Sequence, residues 1–140
     1  MPTRPEDFWP SGFPTVQEES LPVALLREQA ALLSEKTGDL VQSVVRNSVI
    51  EGTVYHSLYL RAPALGDYMF KVLSISHPVS SGGEDPFPLE VVISAGPGAP
   101  QQVANMKEFK TWLRDALSTD KVIATVSTLI EHSKLVLSGS

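Results

Sequence analysis

Two periods of apolar and polar positions divide this chain. From Gly52 to Ala95 the repeat is two, the signature of β-strands whose successive side chains point to opposite sides. On either side of that stretch the apolar residues recur at helical spacing. The central strand is Tyr68 to His77, and alternation divides it into Met69, Lys71, Leu73, Ile75 and His77 against Tyr68, Phe70, Val72, Ser74 and Ser76. The strand before it, Thr53 to Arg61, divides into Val54, His56, Leu58 and Leu60 against Tyr55, Ser57, Tyr59 and Arg61. The strand after it, Leu89 to Ala95, gives Leu89, Val91, Ile93 and Ala95 against Glu90, Val92 and Ser94. One expected face is therefore aliphatic and suits a core under helices; the other is aromatic and mixed.

Helices flank these strands. Ser20 is an N-cap candidate with Pro22 in the first turn, Gly38 stands past the far end, and Leu26, Ala30 and Leu33 form one stripe between them. Asp39 to Glu51 is rich in β-branched residues and reads as a further strand, joined to the next through Glu51-Gly52. After the strands, Asn105 with Glu108 three residues on resembles a capping box, opening a helix with Met106, Phe109, Leu113, Ala116 and Leu117 on its apolar stripe. Ser118 or Thr119 caps a last helix bearing Val122, Ile123, Val126, Leu129 and Ile130. Every strand connection is too short for a crossover helix. The expected fold is thus α+β and two-layered: a four-stranded antiparallel meander in the order α-β-β-β-β-α-α.

Residues 1 to 19 hold four prolines with Phe8, Trp9 and Phe13 and read as an N-terminal tail, whose rings are expected on the aromatic sheet face. A single domain spans residues 20 to 135, and 136 to 140 form a short C-terminal tail. A net charge of −5 and a pI near 5.1 argue against nucleic acid as the partner, because such binding rests on clustered Lys and Arg. No apolar run approaches a membrane span, and residues 1 to 20 lack the pattern of a secretory signal. The absence of cysteine excludes disulfides, thiol catalysis and cysteine-held metals, so the cytoplasm is the expected compartment.

Reactive chemistry is sparse. The three histidines, His56, His77 and His132, show no metal-ligand spacing, and no catalytic residue or cofactor is assigned. His56 reads as a hydrogen-bonded structural histidine and His132 as a helix-end cation. His77 differs, because the Pro78 to Pro88 loop brings Glu84 and Asp85 after it; these three are the candidate ligand or metal group. A Gly-x-Ser-x-Gly elbow is absent, and Ser80-Ser81-Gly82-Gly83 reads as a flexible loop. Gly96-Pro-Gly-Ala-Pro100 lacks the Gly-Lys-Ser/Thr of a phosphate loop, and its prolines remove amide donors.

Tyr55, Tyr59, Tyr68 and Phe70, with Arg61 at their rim, are expected to form a contiguous patch across two paired strands. Such a patch serves either as a second small core beneath the tail or as a contact surface, since tyrosine gives large area with a polar tip. The leading expectation is a non-enzymatic interaction module of immunity, chaperone or adaptor type, binding another protein or a second copy of itself. The alternative is a small-ligand binder or minor hydrolase with its pocket near His77 and the 78 to 88 loop.

Overall fold

The structure is a computed structural model and describes residues 6, 8, 22–79, 87–94 and 99–139. Helix α1 (Pro22–Lys36) leads into strands β1 (Gln42–Ile50), β2 (Thr53–Ala62), β3 (Tyr68–Pro78), β4 (Leu89–Ile93) and β5 (Gln101–Val103). Helices α2 (Met106–Leu117) and α3 (Asp120–Leu137) complete the order. The strands pair in sequence order as one five-stranded antiparallel sheet, so the expected four-stranded meander gains a member. The addition, β5, is three residues between a Gly/Pro-rich stretch and a helix cap, too short to show alternation.

Local chemistry explains the joints. Gly38 and Asp39 both have positive φ, 60° and 65°, and turn the chain out of α1. Thr37 then bridges helix to strand: its hydroxyl donates to the Val41 carbonyl at 2.8 Å and accepts from the Val41 amide at 3.2 Å. Glu51 and Gly52, at φ 48° and 79°, make the tight β1–β2 turn that needs both central residues left-handed. Asn105 caps α2 by accepting from the Glu108 amide at 2.9 Å, while the Glu108 carboxylate reaches back to the Ala104 amide at 2.6 Å. Thr119 caps α3 through the Val122 amide, and α3 runs two residues into the stretch read as a tail.

All three helices lie on one side of the sheet. Leu26 and Ala30 of α1, Phe109, Trp112, Leu113 and Ala116 of α2, and Val122 and Leu129 of α3 share a core with Leu58, Leu60, Leu73, Ile75, Leu89 and Val91. Burying such a set accounts for most of the stability of the fold, at roughly 1.5–3 kcal/mol per large aliphatic side chain.

The alternation of β3 breaks at one point. Register shifts between Leu58 and Tyr59, so Leu58 faces Leu73 while Tyr59 faces Lys71, and Val72 is the extra residue of a β-bulge. Val72 and Leu73 are consecutive and both fully buried. Before the bulge the faces are exchanged: Phe70 lies opposite Leu60 and Tyr68 opposite Ala62 on the helix side, and Met69 and Lys71 join the other. Strict period-two reading had assigned these four the other way round.

Candidate functional site

The face turned away from the helices is built in transverse rows set by strand register. Ser48, Tyr55, Ser76, Glu90 and Gln102 cross all five strands; Arg46, Ser57, Ser74 and Val92 make the next row. Beyond them lie Val44, Tyr59 and Lys71, then Gln42, Arg61 and Met69. Among the described residues no helix covers these rows. Tyr55 and Tyr59 are half-buried by their neighbours, and the Arg46 guanidinium stands over the Tyr59 ring at 5.7 Å from its centroid. Arg61 pairs with Asp67 at 2.8 Å, fastening the rim of the face to the turn after β2. Among the described residues Arg46 and Lys71 share this surface with the carboxylate Glu90, while Arg61 is paired with Asp67, in a chain of net charge −5.

Of the residues expected to form one aromatic patch, Tyr55, Tyr59 and Arg61 remain together. Tyr68 and Phe70 do not. Phe70 packs against the helix-side core, and Tyr68 borders a shallow hollow with Leu65 of the turn and Lys121, Leu129 and His132 of α3. The physical reason is the Val72 bulge, which exchanges the faces of everything before it in β3. Arg46 and Lys71 were not singled out from the sequence. Arg46 could have been found, because pairing Val44 with Tyr59 on a regular hairpin places it there; Lys71 could not, because its face depends on the bulge.

The helix side carries a second polar cluster at the far end of β2 and β3. His56 and His77 are diagonal neighbours with ring centroids 5.8 Å apart and planes tilted by 39°. His56 Nδ1 lies 2.6 Å from the Oδ1 of Asn47, its direct partner on β1, and His77 Nδ1 lies 2.9 Å from the Pro78 carbonyl oxygen. Burial, then the neighbouring His77, then Arg27 of α1 lower the His56 pKa to about 4. His56 is accordingly neutral at physiological pH. No serine hydroxyl among the described residues is bonded to either ring. Glu84 and Asp85, expected beside His77, lie outside the described residues, as do Ser80 to Gly83 and Trp9 and Phe13 of the tail. His132 is exposed on α3, far along the chain from this pair.

A cleft of about 340 Å³ opens between α1 and α3 on the helix side. Leu58, Leu60 and Val72 form its floor, Leu33, Val122 and Val126 its walls, and Lys36 is the charged residue of its lining. Its lips are the exposed Leu32 and Ile123. His77 does not line this cleft, and residues 80 to 86 of the loop expected to shape a pocket beside His77 lie outside the described residues.

Compared with known protein families, with curated proteins and with solved structures, the chain gives no match in any of the three. No helix among the described residues is long and apolar enough to cross a membrane.

Proposed function

We propose that this chain is a non-enzymatic protein-interaction module of the cytoplasm, of immunity, chaperone or adaptor type, that receives a protein partner on the face of its sheet opposite the helices. The observation that supports this most is the placement of Tyr55 and Tyr59 among Arg46, Arg61 and Lys71 on a face that no described helix covers. Tyrosines give contact area with little rotamer entropy to lose, and arginines give directional donors, so this is the composition of an interface centre. The cations narrow the partner to a protein surface or segment bearing Asp and Glu.

The test is affinity capture from the native host with the wild-type chain and with a Tyr55→Ser/Tyr59→Ser variant. The expected result is one partner retained by the wild type at low salt, weakened as salt rises, and lost from the variant while its circular dichroism is unchanged. Equal retention by the variant would remove the sheet face from the proposal.

A second reading, a small-ligand binder, is favoured by the apolar cleft between α1 and α3, whose volume lies at the lower end of ligand pockets. It would show as a bound molecule in native mass spectrometry that a Val126→Trp substitution displaces.

A further inference from the structure

We propose that His56 and His77 form a two-imidazole site for a divalent transition metal of the zinc, nickel or copper class on the helix-side end of β2 and β3. The inference starts from which ring nitrogen carries the proton. The Pro78 carbonyl can only accept, so the 2.9 Å bond places a hydrogen on His77 Nδ1. Asn47 Oδ1 likewise accepts from His56 Nδ1 at 2.6 Å. In the neutral form a ring bonded in this way keeps its lone pair on Nε2. That is the arrangement found around metal-binding histidines, which give their other N–H to a carbonyl or carboxylate that fixes tautomer and ring orientation.

Distance agrees with this. Asn47 on β1 bonds His56 at Nδ1, and His77 stands on β3, the strand on the other side of β2. With Nε2 about 2.1 Å from the ion, a shared metal lies roughly 3.2 Å from each ring centroid; the centroids are then roughly 5.2 Å apart at a tetrahedral angle and roughly 6.4 Å apart when linear. The observed 5.8 Å falls between these limits. Imidazole nitrogen selects zinc, nickel and copper over magnesium and calcium, which take oxygen ligands. Among the described residues no group of three or more His, Asp or Glu side chains could hold a metal. Among the described residues two protein ligands are supplied, with water or a further donor completing the shell. Arg27 of α1 acts on His56 across the α1–sheet junction, and its charge opposes a cation there.

The experiment is titration of the full chain with zinc chloride and, separately, nickel chloride at pH 7.5, followed by calorimetry and by long-range ¹H–¹⁵N spectra of the histidine rings. One ion per chain is expected, with the Nε2 resonances of His56 and His77 moving together and those of His132 unmoved; magnesium chloride should move none. His77→Gln should abolish the saturable step, Asn47→Ala should weaken it roughly 10- to 100-fold, and Arg27→Gln should strengthen it. The ring spectra of the wild type need no variant to fold, so a destabilised mutant does not blunt the test. Movement of His132 alone, coordination through Nδ1, or unchanged affinity in His77→Gln would each overturn the site.

Discussion

The two faces of strands β2 and β3 are made from the same two stretches of chain and have opposite characters. On the helix side Leu58, Leu60, Leu73 and Ile75 are buried to within 2 % of complete exclusion from solvent. On the other side Tyr55, Tyr59, Arg61, Lys71 and the serines Ser74 and Ser76 keep contact with water. The difference teaches that a residue's role here is set less by its own hydrophobicity than by the side of the sheet its strand register gives it. Phe70 is the instructive case. Chemically it belongs with Tyr59, yet one inserted valine turns it to the helix side, where it packs against the core.

The comparison can be broken most directly by truncating two residues on the helix side and one on the other. Leu73→Ala should lower unfolding stability by about 2–5 kcal/mol, and Phe70→Ala, half-buried, by about 2–3 kcal/mol, whereas Tyr59→Ala should change it by less than about 1 kcal/mol. Urea unfolding followed by circular dichroism measures all three. A cost for Tyr59 equal to that for Phe70 would mean that the two rings share one environment, and the bulge would lose its meaning.

Acid sharpens the same contrast, because the helix side penalises charge. His56 takes up a proton at pH 6.5 when unfolded but near pH 4 when folded, so between these values the unfolded chain holds the more protons. Stability should therefore be unaffected by this group above about pH 7 and decline as the pH falls from 6.5 towards 4, levelling below that. The full shift would correspond to about 3 kcal/mol, but the ring is only partly buried, and screening by solvent reduces the expected loss to about 1–2 kcal/mol. Urea midpoints measured across this range should fall in the wild type and stay flatter in His56→Gln. A midpoint independent of pH in the wild type would show that the ring is solvated.

The smallest effect tests the helix layer itself. Ser133 of α3 is fully buried, and its hydroxyl has no hydrogen-bond partner among the described residues. A buried hydroxyl without a partner is a liability, so Ser133→Ala should raise stability by about 1 kcal/mol, read as an increase in the thermal midpoint. A decrease would indicate that a water or an unseen acceptor satisfies the group.

Much of this molecule was legible from local chemistry. Gly38, the Glu51-Gly52 turn, and the Asn105 and Thr119 caps mark the element boundaries, and the stripes of α1 and α2 point to the residues that are buried. These features follow from interactions within a few residues, where backbone sterics and capping bonds decide the outcome. The candidate sites were legible only in part. Tyr55, Tyr59 and Arg61 share a face because i, i+4 and i+6 on a strand without a bulge do. The meeting of His56 with His77 joins two strands and depends on the register between them.

By itself, then, the chain's pattern of residues determined an antiparallel sheet with three amphipathic helices and one strongly apolar side, since periodicity and turn chemistry are local properties. Only the tertiary structure decided that β5 exists, that Tyr68 and Phe70 face α3 and the core, that Lys71 joins the tyrosine face, and that two histidines 21 positions apart stand ring to ring. The reason is the same in each case. A bulge, a short edge strand and a cross-strand contact are stabilised by what lies on the neighbouring strand, and a one-residue slip in pairing moves every side chain beyond it to the other face.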